Sequence, residues 1–435
     1  MKGTFRSLNN FNYRLWAGGA LISNVGTWMQ RIAQGWLVLT QLTDNNATAL
    51  GIVLALQSGP HLLLLPLTGF AADHLDRRKL LLGTQAAMGV LAFGLGSLTI
   101  TGLVQLWHVY VFAFLLGCVT AFDSPARHTF VAELVGETDL SNAVALNSTS
   151  FNSARMVGPA IAGALIAAVG SGWVFVINGA SFAAVLGSLA LLRVGELHPQ
   201  TRAFRKRGSF IEGFRYVWGR PDLQAILLML FLIATFGLNF QIFISTMSVR
   251  IFHGGASQYG LLMSIMAVGT VAGALLAARR EKPRFALLVS GGAIFGVGCA
   301  LAATAPDIPV FAIALVVIGV SALTFSNSTN SLMQLSTEPA MRGRVLAIRL
   351  AIALGCTPIG APIVGWVADR YGPRWALGVG AASGLAAAIV GLRYLVQHRH
   401  LTLRIEAGQL RFRVDREPAT APHRSRPIGA GRQAG

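Results

Sequence analysis

Charged side chains are rare in this sequence, and the positions of a few of them indicate specific chemistry. Of the 435 residues, 12% are charged and 54% are hydrophobic. Three arginines, Arg31, Arg155 and Arg349, stand inside long apolar runs. A charge inside lipid is costly and is usually functional. We expect Arg31 and Arg155 to face a polar path, whereas Arg349 lies near enough to a span end to snorkel to water.

Polar residues accompany these arginines at helical spacing. One stripe contains Asn24, Thr27, Arg31 and Gln34, and another contains Ser148, Asn152, Arg155 and Pro159. Further amides stand in apolar runs at Asn239, Gln241, Asn327, Asn330 and Gln334. These positions predict a substrate cavity whose arginines and amides favour neutral or anionic substrates over cations. The alternative for Arg31 and Arg155 is a structural pair with a backbone carbonyl or a remote acid.

A charged turn and a few titratable residues could control conformation or move protons. The turn from 69 to 79 separates two apolar runs and contains Gly69, Asp73, Arg77 and Arg78. A later run ends in Asp123 and, one turn on, Arg127. No Asp or Glu lies near the middle of a run, so the proton-coupling candidates are Asp123 and His61, whose imidazole titrates near neutrality. The alternative for His61 is a packed, hydrogen-bonded side chain.

The apolar runs predict an all-α membrane protein with twelve transmembrane helices. A bilayer core of about 30 Å needs roughly 20 helical residues to cross it. Continuous runs of that length favour helices over a barrel, whose strands alternate in short segments. We place the spans near 13–42, 48–72, 79–102, 105–129, 142–169, 172–193, 223–250, 257–279, 284–304, 308–335, 343–369 and 374–398.

The basic residues orient these spans. With the N-terminus inside, most of the 35 Lys and Arg fall in cytoplasmic segments, and only Arg250, Arg370 and Arg374 fall outside. The positive-inside rule therefore predicts a multi-pass protein of the cell (inner) membrane with both termini in the cytoplasm. The net charge of +18 is distributed between the runs and forms no single patch, which argues against a nucleic-acid partner.

The sequence lacks the residue patterns of disulfide-linked proteins, metalloproteins and lipid-modifying enzymes. Cys118, Cys299 and Cys356 all fall in apolar runs without CxxC spacing, so neither a disulfide framework nor a metal site is expected. No catalytic triad or paired-carboxylate cluster marks an enzyme acting on lipids, and we expect no cofactor. The first apolar run is too long for a signal peptide and predicts a first span.

The predicted spans fall into two halves joined by a long loop. A shift of 202 residues aligns Gly163 and Gly170 with Gly365 and Gly372, which favours parallel six-helix repeats at residues 1–193 and 223–398. The loop at 194–222 carries apolar residues at helical spacing and predicts an amphipathic helix on the membrane surface, the alternative being a plain linker. These residues are Phe210, Ile211, Phe214, Val217 and Trp218. Residues 399–435 are basic and predict a disordered cytoplasmic tail.

The spans and the charged turn together resemble the major facilitator superfamily. Gly69-x-x-x-Asp73-x-x-x-Arg77-Arg78 is similar to motif A of that superfamily, with Asp76 where Gly is usual. Three further stretches resemble the branch that contains enterobactin exporters and macrolide efflux pumps, namely residues 26–36, 122–127 and 342–345. Gly158, Pro159 and Gly163 in the fifth span are similar to an antiporter motif, although plain helix packing would explain them equally well.

The resemblance implies a fold, a function and roles for several residues. It implies twelve helices in two pseudo-symmetric halves, with the first, fourth, seventh and tenth spans lining the cavity. It implies that Asp73, Arg77 and Asp123 form a cytoplasmic gate with the start of the eleventh span. The implied function is secondary active export of amphipathic small molecules, such as a siderophore, a macrolide-like antibiotic or a drug, by proton antiport and alternating access. An importer or facilitator of a metabolite or lipid is the alternative, and we expect a monomer among membrane lipids.

Overall fold

The computed structural model describes residues 3–198, 210–278, 284–398, 401–406 and 409–414, and most of them form long helices. The first half contains α1 (Phe11–Trp36), α2 (Ala47–Leu63), α3 (Leu65–His74), α4 (Arg77–Ile100), α5 (Leu106–Val169) and α6 (Ser171–Ala190). A short helix, α7 (Phe210–Trp218), precedes the second half. That half contains α8 (Pro221–Leu232), α9 (Phe240–Thr246), α10 (Ala256–Ala278), α11 (Phe285–Thr304), α12 (Ile308–Ser336), α13 (Arg342–Gly355), α14 (Thr357–Tyr371) and α15 (Pro373–His398).

The all-helical membrane fold predicted from the sequence is confirmed. Within the described ranges, nine helical segments are long and apolar enough to cross a bilayer, or ten if α2 and α3 are one bent span. The helix α5 covers two predicted spans, because it runs for 64 residues and is broken at Gly136, where φ is 68°. The helix α1, which carries the polar stripe around Arg31, is not among the nine. The count of twelve therefore stays a prediction.

Several spans expected to be continuous are interrupted. The pair α2 and α3 bends by 59° at Leu64, two residues before Pro66, whose ring removes a helix hydrogen bond. A second break at Cys356 separates α13 from α14, just before Pro358. Between α8 and α9, a π-helical turn at Ile233–Gly237 is followed by non-helical Leu238 and Asn239. The last break turns backbone and amide groups toward the centre of the molecule.

The two halves meet at one end of the bundle. We call the end where α1 begins and α15 finishes the termini end, and the other the opposite end. Near the opposite end α2 packs on α14, and α5 packs on α10. Exposed tryptophans also stand at that end, at the starts of α5, α6 and α15, as is typical of a membrane interface. They are Trp107, Trp173 and Trp375.

The loop and the tail contain regular structure. The helix α7 forms where the amphipathic pattern predicts one, and it leaves Ile211 and Trp218 exposed. Loop residues 199–209 lie outside the described residues. The tail was expected to be disordered, but β1 (Leu401–Glu406) and β2 (Gln409–Val414) form an antiparallel hairpin. Apolar residues alternate in both strands, a period-two pattern that the basic composition of the tail obscures. The predicted tail beyond residue 414 lies outside the described residues.

Candidate functional site

A cavity of about 330 Å³ lies between the two halves. Its volume falls within the range of about 300–1,000 Å³ that is common for small-molecule sites. The first half supplies Trp28, Arg31, Leu54, Gln57, Ser58, His61, Arg155 and Pro159. The second half supplies Leu238, Asn239, Phe240, Gln241, Met263, Met266, Leu354 and Thr357. Four of the predicted cavity residues, Arg31, Arg155, Asn239 and Gln241, are therefore brought together.

Arg31 and Arg155 share one aromatic neighbour in this cavity. The guanidinium carbon of Arg31 lies 4.9 Å from the centroid of the Trp28 ring, and that of Arg155 lies 5.7 Å from it. Both distances are within the reach of a cation–π contact. Gly158 allows this approach, because a Cβ there would come 2.7 Å from the Cβ of Trp28. The Gly and Trp thus hold α1 and α5 close enough to place both cations on one wall.

Amides connect the cavity to its surroundings. Gln241 donates from Nε2 to the carbonyl of Arg31 at 2.8 Å, which joins α9 of the second half to α1 of the first. Asn239 donates to the carbonyl of Thr235 at 2.8 Å and so closes a broken helix turn. Gln34 lines a smaller adjoining cavity of about 50 Å³ and accepts a 2.7 Å hydrogen bond from Gln57. The broken helix explains why Asn239 and Gln241 reach the site together.

His61 lies at the junction of both cavities. The backbone carbonyls of Gln57 and Ser58 lie near its ring. Even so, within the described residues, buried Nδ1 has no partner at the distance and angle of a hydrogen bond. Both interpretations of His61, a proton-coupling residue and a packed core residue, therefore stay predictions.

The remaining predicted cavity residues lie elsewhere. Asn24 does not line the cavity, because its Oδ1 accepts a 3.2 Å hydrogen bond from Arg127. Asn327, Asn330 and Gln334 lie on the half of α12 toward the termini end and line neither cavity. Asn327 and Gln334 are exposed there. Helical spacing indicates that these three residues share one face of α12. It does not indicate how far along the helix axis they lie from the cavity.

Asp123 is held by a network inside the first half. Its carboxylate pairs with Arg127 at 3.0 Å and accepts hydrogen bonds from Thr84 at 2.9 Å and Gln85 at 2.6 Å. All four side chains belong to α4 and α5. Asp123 therefore joins two helices of one half in this conformation, and the implied gate stays a prediction.

The charged turn also has different partners from those expected. Arg77 forms an ion pair with Glu133, an acid that sequence reasoning passed over. Arg78 donates to the carbonyl of Leu189 at 2.8 Å, at the C-terminal end of α6, where a cation is favoured by the helix dipole. The Cβ position of Gly69 is open, and the side chain of Asp73 lies outside the described part of the structure. Thus Arg77 and Arg78 contact the first half and not the eleventh span.

Hydrogen bonds from Asp369 and Arg250 of the second half to the start of α2 and to Asn45 just before it join the two halves at the opposite end, where the sequence did not indicate a contact. Asp369, near the end of α14, accepts hydrogen bonds from the backbone N–H groups of Ala47 and Thr48 at 2.9 and 2.8 Å. It also accepts one from the Thr48 hydroxyl at 2.6 Å and pairs with Arg250 at 2.8 Å. Arg250 further donates to the carbonyl of Ala368 at 3.0 Å and to that of Asn45.

We call Asp369, Arg250 and the first turn of α2 the opposite-end lock. It combines a carboxylate at a helix N-terminus with an ion pair, and both are favourable arrangements. Arg250 and Asp369 are far apart in sequence, and the positive-inside rule places Arg250 among the few basic residues on the outer side. In the sequence, the contact is indicated only by the position of Asp369, an acid three residues before Gly372, where α14 ends.

A helical membrane fold with a polar cavity between two halves defines a transporter of the major facilitator type. Residues 3–410 match the model of the family described as transmembrane secretion effector. The chain belongs to this family of transporters, as the resemblance of its motifs predicted, and it is not an enzyme.

Characterised relatives cover most of the chain. It is 25% identical over 394 residues to the staphyloferrin A transporter of Staphylococcus aureus, which spans 88% of this chain and 95% of that protein. It is 26% identical over 367 residues to the multidrug efflux pump Tap of Mycolicibacterium fortuitum, spanning 81% and 88%. Identity to macrolide efflux protein A of Streptococcus pyogenes is 23% over 372 residues, spanning 83% and 90%.

Solved structures share the fold at low identity. The nucleoside transporter NupG superposes with a TM-score of 0.69 at 13% identity, over 88% of this chain and 98% of that one. A bacterial homologue of the human lysosomal transporter Spinster gives 0.68 at 14% identity, over 90% and 97%.

Proposed function

We propose that this transporter exports amphipathic small molecules, of the siderophore, macrolide-like or drug type, across the inner membrane by alternating access. The observation that carries the proposal is the cavity between the halves, which combines two arginines with an apolar wall. The efflux and siderophore transporters among the relatives support export over import. The charge distribution supports an orientation with both termini in the cytoplasm, and we propose that the transporter acts as a monomer surrounded by lipid.

Alternating access is supported by contacts that differ between the two ends of the bundle. At the opposite end the lock joins the halves, and Gly51 and Gly260 bring α2 and α5 against α14 and α10. At the termini end, Arg77 and Arg78 contact only the first half. This arrangement fits a cavity that is closed outside and open to the cytoplasm. In the other state, the motif turn with Asp73 would close the termini end while the lock opens.

Proton antiport is the coupling that we propose for this cycle. Asp123 is already engaged by Arg127, Thr84 and Gln85 and does not line the cavity. His61 lines the cavity and has an unpartnered nitrogen. We therefore assign His61, and not Asp123, as the proton-coupling residue.

The test is efflux from cells loaded with a fluorescent drug, with and without an ionophore that collapses the proton gradient. We expect efflux to depend on the gradient, and His61→Gln to abolish that dependence while substrate exchange at equal pH continues. Arg349→Gln, at an arginine outside the cavity, is the matched control and should behave as wild type. Efflux that ignores the ionophore would refute proton antiport, and accumulation in place of efflux would indicate an importer.

A further inference from the structure

The two cavity arginines have no anionic partner in the part of the chain that the structure describes. In the ranges that the structure describes, neither guanidinium group takes part in an ion pair or a side-chain hydrogen bond, and no carboxylate lines the cavity. Each guanidinium carries five N–H donors. Their one described contact is the face of Trp28. This site therefore holds two positive charges whose N–H donors are available to a ligand that enters the cavity.

Burial and exposure of Arg31 show that the charge is available to a ligand. Arg31 lies deep in the molecule, surrounded by side chains of both halves, yet its own surface is exposed to the cavity. Arg155 is partly exposed. The alternative considered from the sequence, a structural pair with a carbonyl or a remote acid, is not formed by the side chain of either residue in the described structure. The carbonyl of Arg31, not its guanidinium, accepts the bond from Gln241.

The two walls of the cavity differ in polarity. All of its ionisable groups, Arg31, Arg155 and His61, come from the first half. The wall from the second half is mainly apolar, with the amides of Asn239 and Gln241 between the apolar groups. The apolar members of that wall are Leu238, Phe240, Met263, Met266 and Leu354. A ligand that complements both walls has an acidic group at one end and an apolar body at the other.

We infer that the cavity binds organic anions, with an acidic group between Arg31 and Arg155 and an apolar body against Met263, Met266 and Phe240. The inference rests on the proposed function in taking this cavity as the transport site, and it adds the charge and the orientation of the substrate. Guanidinium groups match carboxylates in geometry, and methionines adapt to apolar bodies of different shape. A cation would meet two like charges in a cavity whose lining lacks an acid.

The test uses three probes that share one apolar body and differ in charge: naphthoate, naphthamide and naphthylmethylammonium. Each is titrated calorimetrically into the purified full-length protein in lipid nanodiscs. We expect naphthoate to bind most tightly and naphthylmethylammonium most weakly. Because each variant loses a charge-assisted hydrogen bond to the carboxylate, Arg31→Gln and Arg155→Gln should each weaken naphthoate binding about tenfold or more.

Control variants separate this role from a structural one. Both substitutions should leave naphthamide binding unchanged, which a collapsed cavity would not allow. Arg349→Gln removes another arginine within the helices but outside the cavity, and should change none of the three affinities. Equal or tighter binding of the ammonium probe, no binding of naphthoate, or an unchanged preference in Arg31→Gln would each overturn the inference. The binding titration needs no proton gradient, so its result is independent of the efflux assay. Naphthoate can bind even if the efflux assay refutes export. Export can also be observed even if the titration shows no preference for the anion.

Discussion

Two buried or partly buried carboxylates, Asp123 and Asp369, have different tasks because of where their partners lie. The partners of Asp123 belong to the first half, so its network joins α4 to α5 without crossing to the second half. Asp369 pairs with Arg250 of its own half and accepts hydrogen bonds from Ala47 and Thr48 of the other half, and these hydrogen bonds require a closed opposite end. One acid therefore stabilises a half, and the other stabilises a conformation.

Removing the charge of Asp369 should open the opposite end. Asp369→Asn weakens the hydrogen bonds that Asp369 accepts from Ala47 and Thr48 of α2, which should destabilise the closed state by about 1–3 kcal/mol. Spin labels at Trp107 and Ile308, one on each half in a cysteine-free background, should show longer distances by electron–electron double resonance. Arg250→Gln should have the same effect, whereas Glu196→Gln, which breaks an exposed pair with Arg193, should have none. Unchanged distances in both lock variants would contradict the lock.

Removing Asp123 should instead cost stability. Asp123→Ala leaves Arg127 largely buried without its carboxylate, a change that typically costs about 3–5 kcal/mol. We expect a lower midpoint in thermal unfolding followed by tryptophan fluorescence. The double variant Asp123→Leu with Arg127→Met should recover part of the loss, because no unpaired charge remains. Normal stability combined with loss of gradient-driven transport would restore Asp123 as the proton carrier.

Two helix crossings between the halves repeat the same packing. The Cβ position of Gly51 on α2 would lie 2.4 Å from the carbonyl oxygen of Ala361 on α14, and that of Gly260 on α10 would lie 2.2 Å from that of Pro159 on α5. Gly163 and Gly365 make matching approaches to Ala256 and Ala47, the first residues of α10 and α2. These two crossings are therefore equivalent by pseudo-symmetry.

The equivalence ends at the lock. A shift of 202 residues places Asp369 at Ala167, which has no carboxylate. The crossing of α5 and α10 is held by a 3.3 Å hydrogen bond from Ser257 to the carbonyl of Gly163, and the crossing of α2 and α14 by the lock. The α2–α14 crossing therefore has more polar contacts than the α5–α10 crossing.

A small side chain inserted at a crossing should favour the open state. Gly260→Ala places a methyl group against the backbone of α5, and such overpacking typically costs about 1–3 kcal/mol. The labels at Trp107 and Ile308 should separate as they do in Asp369→Asn. Gly378→Ala on α15 is the matched control, since nothing lies within 4 Å of its Cβ position. A closed opposite end in Gly260→Ala would show that the helices can shift to accept the methyl group.

At the scale of the whole molecule, the proposed state predicts from which side of the membrane each end of the bundle is accessible to water. The exposed polar face of α12 toward the termini end should be wet from the cytoplasm. In a cysteine-free background, a membrane-impermeant maleimide should label Asn327→Cys in everted vesicles but not in intact cells. Trp107→Cys at the opposite end should show the reverse. Labelling of Asn327→Cys from outside would contradict either the orientation or the state.

The sequence predicts those features of the fold and the site that depend on one continuous segment. The apolar runs, the turn residues and the spacing of Arg31 with Gln34 are properties of continuous segments, and they led to the helical membrane fold, the transporter family and the main arginines of the cavity. Of the helix breaks at Leu64, Leu238 and Cys356, two are indicated by a proline that follows them in the sequence. The break at Leu238 has no such proline.

The sequence by itself therefore determined the membrane class, the family and which polar residues share a helix face. Tertiary structure alone decided depth and partnership: that Asn24 pairs with Arg127, that Arg77 pairs with Glu133 instead of Asp123, and that Asn327 lies away from the cavity. The physical reason is that helical periodicity fixes a direction around an axis. It leaves open which helix lies in that direction, and at what height two side chains more than 100 residues apart, such as Arg250 and Asp369, come within 2.8 Å.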